Sequence, residues 1–425
     1  MSDNNKSPAS VNVRTLGCKV NFCDGNALAG ALAAAGFPTA APGRPADVEI
    51  VNTCAVTARS VQKARTLIRR LRAANATGVV LVTGCAARME GAASAAVPEA
   101  DAVCPSPEDV VAWLKERYSL VAEPLIPAGG FDPARTRVFI KVQDGCASFC
   151  SFCVVPFVRG KPKSLELPRA LGLLREAVAR GYREIVLCGV HLGQYGRDLS
   201  GVSLVELMAQ AAALDGDFRL RLSSVEPLDL SDEVLAVMSS NPRFCPHLHL
   251  PLQSGSDRVL KAMRRPYNIS QYMNALDRAR ASLDNPAITT DIMVGFPGET
   301  GKDFELTLDA IRNAGFARGH VFVFSPRPLT QAYNLPERVA AAEARQRSLA
   351  ARSACGRTAL AFRNTLVATT AEIIVEEISG GFAHGLCARY QRVAVPGAAR
   401  LKGSLVRVLI DAARVTDAFL DGHLV

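Results

Sequence analysis

The hydrophobic pattern of residues 11–125 alternates between short apolar runs and longer helical stretches. The runs VNVRTL, DVEIVNT and VVLVTG have the length and β-branched content of buried strands. A helical stretch follows each run, and the first begins at about Asp24. Because strands that alternate with helices form parallel sheets with right-handed crossovers, we predict an α/β domain over residues 1–125.

The alternation resumes after a Pro/Gly-rich segment, residues 124–136, which predicts a linker. Six further runs predict strands: RVFIKV, REIVLCG, FRLRLSS, CPHLHLPL, AITTDIMVG and HVFVFSP. An arginine-rich helical stretch, residues 336–364, ends this second α/β domain, which we place at residues 126–364.

The pattern changes again at residue 365. Residues 365–425 contain four β-type runs, which glycines separate. The separating glycines are Gly380, Gly381, Gly385, Gly397 and Gly403. Short strands with glycine turns predict a small all-β barrel.

Composition narrows the functional classes. The chain has 425 residues and a mean hydropathy of +0.13, yet no apolar run approaches the ~18 residues of a membrane span. Its first ten residues are polar and lack the apolar region of a signal peptide, so we expect a cytoplasmic protein without a membrane partner. The net charge of +9 fits a polyanionic partner. In a reducing compartment, the 12 cysteines favour metal binding or catalysis over disulfides.

Three cysteines lie close together in the segment KVQDGCASFCSFCVVPFVRG. Cys146, Cys150 and Cys153 can turn their sulfur atoms toward one point from a tight loop. A structural zinc ion normally takes four ligands, whereas three thiolates on a four-iron cluster leave one iron open for a ligand. Three buried free cysteines, or a zinc site completed by a distant fourth ligand, are the alternatives.

A second group of cysteines follows the strands of the first domain. Cys18, Cys54 and Cys85 each come just after a predicted strand. The carboxyl ends of parallel strands share one edge of a sheet, so these thiols could meet at a second three-thiolate cluster. Cys23, in the turn after the first strand, and Cys104 are the competing ligands. The remaining cysteines are interpreted as structural: Cys188, Cys245, Cys355 and Cys387.

Polar residues and glycines also follow the strands of the second domain, where a cofactor could bind. Each could instead belong to a turn or a helix cap. The candidates at strand ends are Gly189, Ser223, Ser224, Glu226 and Gln253. His191 is a substrate contact or a turn residue, and His247 and His249 line the interior rather than bind metal.

Basic residues are concentrated on the helix after the second strand, which carries Arg65 and Arg69 and contains no acid. This helix is a candidate RNA-binding face, and a solvated face is the alternative. The tail has six basic and six acidic residues, so RNA binding there would depend on Arg389, Tyr390 and Arg392 placed locally.

The three parts together resemble the methylthiotransferase family of radical S-adenosylmethionine (SAM) enzymes. The cysteine loop resembles the radical SAM signature, TLGCKVN, NTCAVT and VTGCAAR resemble the cysteine motifs of the N-terminal domain, and the tail resembles an RNA-binding TRAM domain. The resemblance implies a partial (β/α)6 barrel, two 4Fe-4S clusters, and SAM bound with Phe152 near its adenine. Arg88, Leu329 and the Asp24-Gly25 turn depart from the usual motifs.

Within the family, GVHLGQYGRD, RLSSVEP and SPRP are most similar to the branch that modifies N6-threonylcarbamoyladenosine at tRNA position 37. The implied reaction adds a methylthio group to C2 of that adenine. It needs a radical because this C–H bond is not acidic, and it also needs an electron donor and a sulfur source. The alternatives are isopentenyladenosine 37, a protein substrate, or a non-catalytic iron–sulfur or zinc RNA-binding protein.

Overall fold

The computed structural model describes residues 10–41, 44–89, 98–118, 131–132, 135–397, 401–414 and 419–425. Within these ranges the chain forms a parallel sheet, a six-strand parallel array and a closed barrel, in that order. Among the helices in the same ranges, none has the length and hydropathy that crossing a membrane requires.

The N-terminal sheet is parallel, and its strand order follows the sequence. Its strands are β1 (Val11–Thr15), β2 (Val48–Thr53), β3 (Val79–Gly84) and β4 (Ala102–Val103). Its helices are α1 (Lys19–Ala34), α2 (Ala58–Ala74) and α3 (Pro107–Tyr118). Every residue of β2 and β3 is buried, as expected for central strands covered on both faces. The α/β prediction is confirmed, although β4 is too short to show a sequence pattern.

The central part carries the six predicted strands and two short additional ones. Its strands are β5 (Arg137–Lys141), β6 (Gln143–Asp144), β7 (Lys163–Ser164), β8 (Glu184–Cys188), β9 (Arg219–Leu222), β10 (His247–His249), β11 (Ala287–Val294) and β12 (Arg318–Val323). Its helices are α4 (Val155–Arg159), α5 (Leu167–Ala179), α6 (Leu204–Ala212), α7 (Asp232–Ser240), α8 (Asp257–Ala262), α9 (Ile269–Ser282), α10 (Gly301–Ala314) and α11 (Ala341–Asn364).

Isolated β-bridges, each between one pair of residues, join the two halves of this six-strand array. β5, β8 and β9 form one parallel sheet, β10, β11 and β12 form another, and the pairs Leu220–Phe244 and Ser224–His249 connect them. Along β8, Ile185 and Leu187 pack into the main core between strands and helices. Alternate residues point to opposite faces of a strand, so Glu184 lies on the inner face. The inner face is therefore available for polar groups.

The C-terminal part is a closed five-strand barrel with the strand order β13-β14-β15-β17-β16. The strands are β13 (Thr370–Ser379), β14 (Phe382–Cys387), β15 (Arg392–Pro396), β16 (Leu405–Ala413) and β17 (Phe419–Leu424). The predicted small β-barrel is confirmed. The prediction missed β14, because it took Gly385 as a separator, whereas Gly385 pairs with Val375 and Val393 inside the strand.

A buried charge cluster joins this barrel to the central domain. The carboxylate of Glu184 accepts hydrogen bonds from Arg219 Nε at 2.7 Å and Arg221 Nε at 2.8 Å. The same guanidinium groups donate to the carbonyl oxygens of Glu372, at 2.9 Å, and Ala388, at 2.8 Å. Glu184 therefore orients two arginines that bind the backbone of the C-terminal barrel.

Replacing Glu184 by Gln should lower the free energy of unfolding at pH 7 by about 3 kcal/mol, because Arg219 and Arg221 would lose their buried counter-charge. Burial raises the pKa of Glu184, but Arg221, Arg219 and Arg137 outweigh it and hold the pKa below its ordinary value of 4.5. The carboxylate therefore stabilises the fold above about pH 4.5, and this contribution is lost as the pH falls further. Denaturant unfolding followed by circular dichroism across pH measures both effects.

Glu176→Gln is the matched control, because Glu176 forms an exposed ion pair with Arg180 one helical turn away. Such a pair contributes about 0.5 kcal/mol or less. Equal unfolding midpoints for the wild type and Glu184→Gln at pH 7 would contradict the assigned role of Glu184.

Candidate active site

The cysteine loop between β6 and α4 closes at its base through backbone contacts. Cys146 N donates to the carbonyl oxygen of Gly160 at 3.0 Å, and Cys153 N donates to that of Cys150 at 2.9 Å. Gly145 begins the loop with a φ of +71°, and a Cβ atom there would collide with the carbonyl of Lys161. Only glycine fits this position, which turns the chain so that three cysteines follow in one compact loop.

Cationic and polar groups surround the thiols of this loop. Arg265 Nη1 donates to Cys150 Sγ at 3.2 Å, and Arg265 also forms an ion pair with Glu226. His191 Nδ1 lies 3.8 Å from Cys146 Sγ, and His191 Nε2 lies 2.5 Å from Asp229 Oδ2. Burial lowers the pKa of His191, but its bonds to Asp229 and Cys146 raise it overall to about 9. The loop therefore faces a protonated His191 and a buried guanidinium, both of which stabilise thiolates.

Cys18, Cys54 and Cys85 meet at the carboxyl edge of the N-terminal sheet. Gly17 has a φ of +115°, and a Cβ atom there would lie 2.7 Å from Cys54 Cβ. Cys85 N donates to the carbonyl oxygen of Thr53 at 3.0 Å. Burial raises the pKa of Cys85 to about 11, and the Cys18 and Cys54 thiols add to the rise. The three strand-end cysteines are thus neighbours in space.

Two buried asparagines hold these strand-end loops together. Asn21 Nδ2 donates to the carbonyl oxygens of Leu16, at 2.6 Å, and Thr53, at 3.2 Å. Asn52 Nδ2 donates to the carbonyl oxygen of Asn21 at 2.9 Å. Both asparagines belong to the cysteine motifs, TLGCKVN and NTCAVT, and no spacing in those motifs predicts this role.

A network of ion pairs connects the two cysteine groups. Arg159, at the end of α4, binds Asp24 of α1 at 2.8 Å and Asp144 of β6 at 2.9 Å. Lys141 of β5 pairs with the same two carboxylates. Arg159 also faces the Cys85 and Cys18 thiols, and this attraction contributes to its raised pKa. The network therefore fixes the N-terminal domain against the segment that follows the cysteine loop.

A cleft of about 150 Å³ opens beside Cys153 and the residues that follow Cys54. Val56 and Thr57, just after Cys54, form one side, and the segment from Phe152 to Val155, which includes Cys153, forms another. The remaining wall is formed by residues at or near the ends of β10, β11 and β12, namely Gln253, Asp291, Met293, Phe322, Val323 and Ser325. Beside the cleft, Ala55 and Cys85 pack in one hydrophobic cluster with Val154 and Val158. The cleft is thus bordered by segments that carry a cysteine of each group.

The donor sets fit iron–sulfur clusters. Each site offers three thiols with a buried guanidinium beside them, Arg265 at one and Arg159 at the other. In the described ranges no three His, Cys, Asp or Glu side chains surround a point closely enough for a single metal ion. A four-iron cluster needs wider spacing, because each thiolate binds a different iron.

The predicted cofactor-binding residues divide into two groups. Phe152 and Gln253 line the cleft, and Gln253 has a φ of +65°, a strained value for a residue other than glycine. The others are already hydrogen-bonded or paired within the chain. Ser223 Oγ accepts a hydrogen bond from Gly189 N at 3.3 Å, and Glu226 forms an ion pair with Arg265. The backbone of Ser224 forms an isolated β-bridge with that of His249.

The competing cysteines lie away from both groups. Cys23 belongs to α1, which begins at Lys19, and not to a turn as predicted, because the helix starts directly after Cys18. Its thiol contacts Cys188 and donates to the carbonyl of Phe139 at 3.3 Å. Cys104 packs in the core of the N-terminal domain. Both have packing roles in this arrangement.

The two histidines of β10 lie on the inner side of the central six-strand array. His247 Nε2 lies 3.1 Å and His249 Nδ1 lies 2.9 Å from Thr289 Oγ1. His247 is buried and stacks on Tyr390 of the C-terminal barrel, with 4.5 Å between ring centroids. The pair is therefore used for hydrogen bonding and packing.

The predicted RNA contacts differ in their accessibility. On α2, Arg65 is half-buried, and the exposed Arg69 binds Glu99 at 3.0 Å. Arg389 donates to the carbonyl of Asn285 at 2.9 Å, so it helps to dock the C-terminal barrel. Arg392 is exposed and lies over the Phe419 ring. Their assignment to RNA stays a prediction.

Comparison with known proteins agrees with this arrangement. The family described as "Radical SAM superfamily" matches residues 140–311, and "Uncharacterized protein family UPF0004" matches residues 10–105. A radical SAM methyltransferase of known structure, TsrM from Kitasatospora setae, superimposes with a TM-score of 0.57 at 15% identity, covering 73% of this chain and 72% of that one. At this identity the likeness concerns the fold alone.

Curated relatives align over most of the chain. Threonylcarbamoyladenosine tRNA methylthiotransferase MtaB of Thermotoga maritima is 37% identical over 86% of this chain and 86% of its own length. The protein of that name from Chlamydia pneumoniae is 33% identical over 96% and 97%. tRNA-2-methylthio-N(6)-dimethylallyladenosine synthase of Carboxydothermus hydrogenoformans is 36% identical over 76% and 78%. The chain therefore belongs to the radical SAM methylthiotransferase family.

Proposed function

We propose that the protein adds a methylthio group to C2 of N6-threonylcarbamoyladenosine at position 37 of tRNA. The observation that carries the proposal is the cleft lined by Cys153 of one cysteine group and by Val56 and Thr57, which follow Cys54 of the other group. A transferase that removes a hydrogen atom and delivers sulfur to the same carbon needs both centres within reach of one base. A relative named for threonylcarbamoyladenosine is 37% identical over 86% of this chain, against 36% over 76% for one named for dimethylallyladenosine, which favours the first substrate.

In this proposal each cysteine group holds one 4Fe-4S cluster. Cys146, Cys150 and Cys153 hold the cluster that binds SAM, and Cys18, Cys54 and Cys85 hold the auxiliary cluster. The bound cofactors supply the radical and the sulfur, which no side chain of the chain can provide. The three functional domains are residues 1–125, 126–364 and 365–425. The protein acts in the cytoplasm on the tRNA anticodon loop, with an electron donor and a sulfur source as further partners.

The protein's own residues orient the reactants and exclude water. Arg265 holds the Cys150 thiolate and is itself positioned by Glu226. Phe152 packs against a hydrophobic cluster that contains Met263 and Phe296, so its ring has a fixed position at the cleft. Aromatic faces such as this one stack on bases and adenine rings, which suits both SAM and a nucleotide. The apolar cleft walls keep water from the reacting atoms.

Isopentenyladenosine 37 is the second candidate substrate, because a relative named for dimethylallyladenosine is 36% identical to this chain. Mass spectrometry of tRNA nucleosides from cells that lack the gene separates the two. We expect the 2-methylthio form of threonylcarbamoyladenosine to disappear and the unmodified precursor to accumulate. Loss of the isopentenyl counterpart would instead select the second candidate, and an unchanged nucleoside profile would contradict both.

The loop glycines allow the two clusters to be removed separately. Gly145→Ala should prevent the first cysteine loop from closing and abolish SAM cleavage, because its Cβ would meet the Lys161 carbonyl. Gly17→Ala should remove only the auxiliary cluster, because its Cβ would displace Cys54. This variant keeps SAM cleavage and loses methylthio transfer. Iron and sulfide content per chain and SAM cleavage with a chemical reductant measure the difference.

Gly172→Ala in α5 is the control for both glycine variants. A Cβ atom at Gly172 meets no other atom within 4 Å, and alanine has a higher helix propensity than glycine. This variant should keep both clusters and full activity. Loss of both clusters from either single variant, loss of SAM cleavage from Gly17→Ala, or no loss of iron from either variant would refute the separate assignment of the two sites.

A further inference from the structure

Arg327 is a buried cation without a partner. Its side chain belongs to the SPRP segment after β12, and the residue is 8% exposed. Its Nε and Nη1 atoms are buried and have no hydrogen-bond acceptor within the described residues. No carboxylate in those same ranges forms an ion pair with it, in contrast to the buried Arg159, Arg221 and Arg265. Buried charges are normally paired, so the fold leaves a place for an anion here.

Arg327 follows a wall residue of the cleft closely in the chain. Ser325, two residues earlier, lines the cleft, and its Oγ accepts a hydrogen bond from Ala58 N at 3.0 Å. Ala58 comes four residues after Cys54, so the SPRP segment lies beside the auxiliary cysteine loop. Burial lowers the pKa of Arg327, and attraction to the Cys54 thiol opposes this effect, which agrees with a position near the auxiliary cysteine loop.

The segment is held rigidly on the other side as well. Thr330 donates to the Arg327 carbonyl from its backbone N at 3.3 Å and from its Oγ1 at 2.7 Å. Ala332 N donates to the carbonyl of Ser151, between two cysteines of the first loop, at 2.7 Å. Leu329 has a φ of +71°, a strained value for a residue other than glycine, which persists only where surrounding contacts impose it. Residues 325–332 therefore contact the loops of both cysteine groups, through Ser325 at one and Ala332 at the other.

We propose that Arg327 binds an oxyanion of the tRNA nucleotide that enters the cleft. This inference rests on the proposed function and specifies a binding residue for its substrate. Two groups of the nucleotide have the required chemistry, namely the carboxylate of the threonylcarbamoyl substituent and the phosphate of the backbone. A planar guanidinium recognises either group through paired charge-assisted hydrogen bonds.

The test compares three anticodon stem-loops that differ only at position 37, where they carry threonylcarbamoyladenosine, isopentenyladenosine or adenosine. Their dissociation constants are measured by fluorescence anisotropy with the anaerobically reconstituted full-length protein at one salt concentration. If Arg327 binds the carboxylate, Arg327→Gln weakens only the threonylcarbamoyl stem-loop, by about tenfold or more. If it binds the phosphate, all three weaken by a similar factor.

Arg327→Lys separates charge from geometry. Lysine keeps the positive charge but cannot form the paired hydrogen bonds of a guanidinium. Arg327→Lys should bind the stem-loops more tightly than Arg327→Gln does. The recovery should be larger if the bound group is a phosphate than if it is a carboxylate. Arg312→Gln is the matched control, since Arg312 is exposed on α10 and pairs with Asp309. It should leave all three dissociation constants unchanged.

Two results would overturn the inference. The first is unchanged binding of all three stem-loops by Arg327→Gln. The second is a loss of iron from this variant with RNA binding intact, because Arg327 would then serve the auxiliary cluster and not the substrate. The binding assay does not depend on turnover, so it is separate from the proposed function. If the wild type bound the stem-loops but formed no methylthio product, the anion site could stand while the proposed reaction failed.

Discussion

The partly buried ion pairs among Asp24, Lys141, Asp144 and Arg159 set the relation between the two cysteine sites. Asp24 belongs to the helix that begins directly after Cys18, and Arg159 ends the helix that follows Cys153. Two cations and two carboxylates balance one another in this network. Removal of one member would leave an uncompensated buried charge, which is strongly destabilising. The network therefore resists separation of the two sites, and the cleft between them keeps its width.

The same groups reduce the electrostatic cost of bringing thiolates together. Three thiolates at one site repel one another, and burial also disfavours their charge. Arg159 opposes this at Cys85 and Cys18, and Arg265 opposes it at Cys150. Helix α1 begins directly after Cys18, so the positive end of its dipole also points to the auxiliary site. Stability between domains and cluster binding thus depend on shared residues.

The sequence predicted those features that depend on local order. Strand–helix alternation gave both α/β parts, and cysteines after successive strands gave the auxiliary group, because parallel strands end at a common edge. It did not predict that α1 begins at Lys19 or that Gly385 lies within a strand. The roles of Arg159 and Arg265 were also missed. Arg159 lies 74 positions from Cys85 and Arg265 lies 115 positions from Cys150, and no spacing rule in the chain encodes such contacts.

Substrate choice in this family must depend on polar groups in a largely apolar cleft. A hydrophobic pocket distinguishes similar apolar groups by only about 10–200-fold, whereas an unpaired buried polar group rejects a substrate that cannot bind it far more strongly. Threonylcarbamoyl and isopentenyl substituents differ mainly in charge and hydrogen bonding. Val56, Met293 and Phe322 have no means of sensing that difference. If the guanidinium of Arg327 binds the threonylcarbamoyl carboxylate and not a backbone phosphate, its burial makes the penalty for an uncharged substituent large. Gln253 and Asp291 are further polar groups on the wall of the same cleft.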